Sequence, residues 1–456
     1  MTPAPLIDAL GPGGARPTLR RSALPDVFGR PAGLLARVPA PVVRHVLREL
    51  REASPVPADD RGPLLAAAAD LIRSGRVAGS DREEYLVRTC RLTGLPRSVV
   101  ADGLDSVAER MRHAAQAVEL ARPAGARLAG APGTTSGAHW IPRGDVLAVV
   151  AAGNHPGTQG VWPEAVALGL RVAVRPSRRE PFTAQRVVHA LHAVGLGSHA
   201  AYLPTDQAEV TTLVDAADLA LVYGGSDMER RYADRADVLV QGPGRSKVLV
   251  LADALDDDAD RVADLVADSV AGRGGTGCVN ATGVLVEGDA EPLFEAVADR
   301  LARLDAGVDV LDPAARLPVH TAQEAEALAA AVLRRARGCR RRHPADAPIM
   351  AGPEGTTVLR PITVLLDRQD ERLSAEYPSS VAWFAPWEPT DGVSPLRGSL
   401  VVTVLGSGPI VDDLIREPSI ANVYSGVPTH RMSFGVPHDG FLADFLMRTT
   451  GFIRSA

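Results

Sequence analysis

Short apolar runs alternate with amphipathic stretches along the last two thirds of the chain. Residues 146–152, 171–174, 218–223 and 247–252 are compact apolar runs, whose length and borders predict strands. Residues 162–169, 182–194 and 258–270 carry helical patterning. The rhythm then repeats: a run at 284–286, helices at 291–304 and 322–336, and runs at 362–366, 381–384 and 400–405. Strands alternating with helices predict βαβ units and mostly parallel sheets. The fold class expected is α/β, built as two such units with their junction shortly before residue 278.

The first third reads differently. Residues 41–122 are helical in pattern, with Leu47, Leu50, Leu65, Leu71 and Ile72 marking apolar faces, and 99–120 reads as one long amphipathic helix. Pro123 stops it, and the glycine-rich stretch 123–143 reads as a loop, a projecting hairpin or an exchanging arm. Residues 1–38 are rich in Pro, Gly and Arg without a clear period, and are expected to be extended or partly disordered. The division expected is therefore 1–38 as that N-terminal segment and 39–246 as a helical region plus dinucleotide-binding domain. Residues 247–410 form a catalytic domain, and 411–456 return to the cofactor domain or an interface. No internal repeat of fixed period is present.

Composition narrows the classes. At 456 residues, two or three domains are expected. A net charge of −6 argues against a nucleic-acid-binding protein. Cys90, Cys278 and Cys339 are far apart and in no CxxC pairing, so neither a disulfide framework nor a metal site is expected, which fits a reducing cytoplasm. No stretch is long and apolar enough for a membrane span, and the first residues have no export-signal pattern. Lys247 is the only lysine; arginine supplies the remaining positive charge.

Cys278 carries the chemistry. It lies in Gly272-Arg-Gly-Gly-Thr-Gly-Cys278, where glycines bring backbone amides up to a single thiol. Such amides can activate a thiolate and hold an oxyanion. The spacing Gly272-x-Gly274-x-x-Gly277 matches a dinucleotide fingerprint formally, but it follows a predicted helix and precedes a predicted strand, the reverse of what that fingerprint requires. Gly242-Pro-Gly-Arg-Ser-Lys247 lacks the spacing of a phosphate loop.

Five segments in order are more specific: Val149-Val-Ala-Ala-Gly-Asn-His-Pro-Gly157, Val174-Arg-Pro-Ser-Arg-Arg-Glu-Pro181, Leu221-Val-Tyr-Gly-Gly-Ser226, Gln241-Gly-Pro-Gly-Arg-Ser246 and the Cys278 loop. Together they resemble the aldehyde dehydrogenase superfamily, with a Rossmann-type cofactor domain and an α/β catalytic domain. Gly426-Val-Pro-Thr429 and Gly435-Val-Pro-His-Asp-Gly440 add a likeness to its fatty acyl-CoA reductases of the bacterial bioluminescence type. The resemblance implies that Cys278 is the nucleophile. Asn154, with the Cys278 N–H, forms the oxyanion hole. Arg175-Pro176-Ser177 stands for the family's Lys-Pro-Ser at the adenosine ribose. Arg178 follows where NAD-preferring members often have glutamate, so NADPH is expected, with NADH possible. Gly224-Gly225-Ser226 and Gly242 match the turns near the cofactor, although Gly224 replaces the usual threonine. Glu376 matches the glutamate that holds the nicotinamide ribose.

Gln241 is the departure. Hydrolytic members carry a glutamate there that activates water, and an amide cannot take that proton. The resemblance thus implies reduction of an acyl thioester to an aldehyde through an acyl-Cys278 intermediate, with Gln241→Glu expected to raise acid release. The acyl group would arrive on coenzyme A or on an acyl or peptidyl carrier protein. The cluster Arg334, Arg335, Arg337, Arg340, Arg341 and Arg342 is a candidate docking patch for its phosphates or acidic face, or else a solvated helix end. Trp383, Phe384 and Trp387 fit a substrate tunnel or, more simply, core packing. A homo-oligomer is expected by analogy. Three alternatives stay open: aldehyde oxidation to acid or thioester, a thioester hydrolase or acyltransferase pairing Cys278 with His438 or His430, and a non-catalytic family member.

Overall fold

The computed structural model describes residues 5–128, 136–304, 308–343, 347–433 and 435–454. Two seven-stranded sheets dominate. The first runs Val238–Gln241, Leu219–Tyr223, Val146–Val150, Arg171–Arg175, Ala200–Tyr202, Ala9–Gly11, Gly14–Arg16, and its first five strands are parallel. The second runs Arg341–His343, Ile362–Leu365, Val381–Trp387, Gly283–Glu287, Lys247–Val250, Val401–Leu405, Asn422–Ser425, parallel except for its first edge strand. Every residue of Val146–Val150 and of Lys247–Val250 is buried, because helices cover both faces of a parallel sheet.

The helices have local causes. Arg82–Thr93 starts on a reciprocal cap, with the Asp81 carboxylate accepting from Glu84 N and the Glu84 carboxylate from Asp81 N. It stops at Gly94, whose φ of 73° suits glycine and whose Cβ, if it had one, would lie 1.9 Å from the Val319 carbonyl oxygen. Thr321 and Glu324 cap Ala322–Arg335 in the same way. Ala40–Glu52 buries Val43, Val46, Leu47 and Leu50, a single stripe at helical spacing.

Several boundaries differ from the sequence reading. The N-terminal segment is extended but ordered from Pro5: Ala9–Gly11 extends the first sheet, and Arg21–Pro25 pairs with Pro31–Ala36. Ile7, Leu10, Leu24 and Leu35 are buried there, an anchoring that the Pro, Gly and Arg content conceals. The long helix expected at 99–120 is two, Arg97–Arg112 and Ala114–Ala121, because His113 leaves helical geometry (φ −100°, ψ 9°) and turns the second piece onto Pro163–Leu168. Ala252–Ala271 begins earlier than expected and kinks at Asp258. The second sheet continues past residue 410 through Asn422–Ser425. Only then does the chain return to the unit of the first sheet, where Leu442, Ala443 and Leu446 join its core. Met447–Phe452 pairs with Gly137–Pro142, which gives the 123–143 stretch its partner; residues 129–135 lie outside the described residues. Among the described residues no helix is long and apolar enough to cross a membrane.

Candidate active site

The site lies between the two sheets. The loop after Val146–Val150 brings Asn154, the turn before Gly283–Glu287 brings Cys278, and the loop after Asn422–Ser425 brings His438. Backbone crowding fixes the cysteine. The Ser246 hydroxyl donates to the Cys278 carbonyl at 2.9 Å, and a Cβ on Gly244 would lie 1.9 Å from that same oxygen. Asn280 staples the turn, accepting from Gly277 N at 3.0 Å and donating to Gly272 O at 2.8 Å. Asn154 Nδ2 donates to Thr276 O at 2.9 Å and the Thr276 hydroxyl returns a bond to Asn154 O at 3.2 Å. One amide hydrogen of Asn154 is therefore spent on the loop and the second is free. The Cys278 N–H has no acceptor among the described residues. Cys278 and Asn154 share a chamber of about 60 Å³.

His438 Nε2 lies 3.5 Å from Cys278 Sγ, and its Nδ1 is 3.6 Å from Asp439 Oδ1. Burial works against the charged ring, but the Cys278 sulfur and the Asp439 carboxylate outweigh it and raise His438 to about 10. The ring is thus held as an acid beside the sulfur. Asn422 secures the ring's backbone by donating to the His438 carbonyl. His430, the other histidine considered, sits instead beside Gly272 and Asp268, 3.6 Å from the latter. Gln241 joins the same group: its Nε2 donates to Asp439 Oδ1 at 2.8 Å. The pairing of Gln241 with Asp439 was not legible in the sequence. The signal for His438 was, in the segment Gly435–Gly440, without anything to choose it over ten other histidines.

The aldehyde dehydrogenase family model matches residues 41–373, about three quarters of the chain. The chain belongs to the aldehyde dehydrogenase family. Similar solved structures include γ-glutamyl-γ-aminobutyraldehyde dehydrogenase from Burkholderia cenocepacia (TM-score 0.83, 18% identity, covering 98% of this chain and 96% of that one). Indole-3-acetaldehyde dehydrogenase from P. syringae, a mutant solved with NAD⁺ and IAA, gives a TM-score of 0.83 at 17% identity over 98% and 96% of the two chains. A mutant 1-pyrroline-5-carboxylate dehydrogenase from Thermus thermophilus gives 0.81 at 16% identity, over 98% and 93%. At these identities the likeness is one of fold. No curated protein matches the chain.

In this aldehyde dehydrogenase fold a second cavity, about 340 Å³, runs from Arg178 and Arg179 past Gly153 and Asn154 to Thr276. It sits at the carboxyl ends of the first sheet's strands, the general location for a dinucleotide in such a sheet. Ser177 Oγ accepts from Arg179 N and packs so closely that a Cβ on Gly153 would lie 2.2 Å from it. Arg178 is exposed, while Pro176 is buried. Arg175 turns away from the crevice. Its Nη2 reaches Thr205 O and Gln207 Oε1, each at 3.5 Å, and its Nε is buried without a partner. Gly225 has open space where a Cβ would go. At Gly224 a Cβ would meet Met228 Cγ at 2.3 Å, which accounts for glycine in place of threonine. Gly242 backs onto Glu229, which pairs with Arg245 at 2.8 Å, and Arg245 also reaches Ser226 Oγ at 3.2 Å. Glu376 accepts from Arg245 N at 2.7 Å, and burial pushes its carboxyl up.

The remaining candidates fall elsewhere. Arg334, Arg335, Arg337 and Arg340 end the helix Ala322–Arg335 and its following turn, and none lines the cavities that reach Cys278. Arg341 and Arg342 have side chains outside the described residues. Trp383, Phe384 and Trp387 are core residues of the central strand Val381–Trp387. Lys247 is fully buried behind the Cys278 turn, donating to Ser399 Oγ at 2.8 Å.

Proposed function

We propose that the protein reduces an acyl thioester to an aldehyde with NADPH, through an acyl group carried on Cys278. The observation that carries this reading is the pair Gln241–Asp439. Where a hydrolytic enzyme would keep a carboxylate for water, this chain has an amide whose Nε2 is spent on Asp439, and the group beside the sulfur is an acid.

In this scheme the Cys278 sulfur attacks the thioester carbonyl. The free hydrogen of Asn154 Nδ2 and the Cys278 N–H take the developing oxyanion. The carbon–sulfur bond to the carrier breaks, and His438 Nε2 gives its proton to the departing thiolate. The acyl group remains on Cys278, with no general base at residue 241 to draw water onto it. A bound nicotinamide supplies the hydride that takes the acyl carbon to the aldehyde level. The bond to Cys278 Sγ then breaks, the electron pair returns to sulfur, and His438 regains a proton from solvent. Aldehyde oxidation to a thioester would use the same residues in reverse.

The crevice fits the cofactor. Arg178 and Arg179 line it with no ion-pair partner among the described residues. Ser177, Arg178, Gly225, Ser226 and Glu376 would hold it. Two free guanidiniums suit a 2′-phosphate better than a bare ribose diol, which favours NADPH over NADH. The likeness of the Gly426–Thr429 and Gly435–Gly440 segments to fatty acyl-CoA reductases supports the same direction.

Intact-mass analysis tests the scheme. Incubation with acyl-CoA thioesters is expected to add one acyl mass to the wild type and none to Cys278→Ala, and NADPH is expected to discharge it as aldehyde. Release as acid at a rate that ignores NADPH would sink the reading.

A further inference from the structure

Two guanidinium groups stand without partners in front of the nucleophile. Arg110, from the helix Arg97–Arg112, and Arg273, from the turn before Cys278, both line the chamber that Cys278, Asn154 and His438 line. The same two arginines continue into a larger adjoining cavity of about 650 Å³. Neither makes a hydrogen bond or ion pair within the described residues. Elsewhere the chain pairs its arginines freely: Arg82 with Asp105 at 2.8 Å, Arg300 with Asp260 at 2.7 Å, Arg235 with Asp215 at 2.9 Å.

Arg273 is also strained. Its φ of 54° and ψ of 32° lie in the left-handed region, directly before Gly274 and Gly275 in the same region. Glycine would adopt that conformation without strain, and glycine is what the flanking positions carry. An arginine kept there, with burial lowering its pKa, costs stability unless it binds something.

None of the acids that face this pair closes an ion pair with it among the described residues. In the larger cavity Asp105 is held by Arg82, and Glu109 by His113 at 3.0 Å. Glu164, beside Arg110, is pushed up by burial to about 7. Asp268 faces Arg273 but sits against His430, which leaves Asp102. A third donor points the same way. His155 Nδ1 accepts from Gly157 N at 3.0 Å, so its proton is on Nε2, and that atom is buried with no acceptor.

We propose that this chamber selects acyl groups whose far end is a carboxylate, with Arg110 and Arg273 as its clamp and His155 Nε2 as an additional donor. This deepens the reading above by naming the acyl class. Because both arginines share the small chamber with Cys278, the chain between the reacting carbonyl and the carboxylate is short, as in a succinyl or glutaryl group. A long fatty chain would leave both guanidiniums buried against methylenes.

Alkylation tests it without needing thioester or cofactor. The rate constants for modification of Cys278 by iodoacetate and by iodoacetamide are compared at pH 7, with Cys278→Ser assigning the adduct. Arg110→Gln/Arg273→Gln is expected to lower the iodoacetate-to-iodoacetamide ratio by about tenfold, and Arg110→Lys/Arg273→Lys, the fallback if the first variant fails to fold, to change it less. In a second arm, wild-type turnover of glutaryl-N-acetylcysteamine should exceed that of the pentanoyl compound, and the glutamine variant should erase the difference. An unchanged alkylation ratio overturns the proposal. An arginine effect seen with glutaryl-CoA but not with the phosphate-free thioester also overturns it, assigning the guanidiniums to carrier phosphates. If neither thioester is reduced, the proposed reduction fails while the alkylation ratio still decides the clamp.

Discussion

Gln241→Glu is the direct way to ask why this enzyme would keep its acyl group from water, and the structure changes what that substitution should do. Gln241 Nε2 is 2.8 Å from Asp439 Oδ1, and Gln241 is 7% exposed. A glutamate there sets two carboxylates at that separation. With an effective dielectric of about 20 their repulsion is about 6 kcal/mol, and about 1.5 kcal/mol even in bulk water. That is about one to four pH units on one member of the pair; at the upper end the two share a proton at neutral pH, and the new carboxyl is then held by Asp439 instead of by the water it would have to activate. The single variant should therefore release acid only modestly faster than the wild type. Gln241→Glu/Asp439→Asn removes the conflict and restores a donor to residue 241. Its acyl-enzyme should hydrolyse about 10²-fold faster than wild type, the low end for a positioned general base. The assay is the decay of the acyl-Cys278 mass after rapid removal of excess thioester, with NADPH omitted. If the double variant decays no faster than wild type, residue 241 does not govern water attack. If the single variant decays as fast as the double, Asp439 is not what restrains it.

Three further outcomes follow from the same geometry. His438 is held to about 10, so as a proton donor it should keep wild-type acylation on a plateau through neutral pH and let it fall only as pH rises through about 10. The raised His438 contributes to stability with the same sign, fully below about 6.5 and lost as pH rises through about 10; His438→Gln should slow thioester acylation about tenfold or more and abolish that limb, measured by stopped-flow. Gly244→Ala must displace the Cys278 carbonyl, since the new methyl would lie 1.9 Å from it, and is expected to lower Tm and acylation rate together; an unperturbed variant would show that the turn is not fixed by this contact. Neutralising Arg334, Arg335 and Arg337 should raise KM for a carrier-bound substrate and spare the KM for NADPH; an unchanged KM dismisses docking at that helix end.

The strands and the nucleophile were legible because each is encoded locally. Val146–Val150 and Gly283–Glu287 are continuous apolar runs, and the glycines before Cys278 mark a turn whatever surrounds it. What the sequence hid is what depends on closure between distant segments. Arg110 is one polar position on an amphipathic helix, and only the approach of that helix to the Pro156–Gly160 turn and to the Cys278 loop turns it toward the sulfur. Arg273 reads as a loop arginine until its positive φ is known. Arg175 shows the converse, since its place in the motif implied a cofactor contact and its side chain reaches Thr205 and Gln207 instead. His438 is 160 residues from Cys278 and reaches it because Asn422, on the last strand of the catalytic sheet, holds its carbonyl. The sulfur's proton donor thus depends on the segment that links the catalytic sheet back to the cofactor domain. His438 is tied to both sheets, because Asn422 holds its carbonyl and the adjacent Asp439 accepts from Gln241 of the first sheet, so a movement between the domains acts on the 3.5 Å separation of Nε2 from Sγ. Binding in the crevice beside Asn154 and acylation at Cys278 are for that reason coupled through His438, and the coupling should be read as a change in Cys278 alkylation rate when NADPH is added. A rate indifferent to NADPH would mean that the two halves of the site work independently.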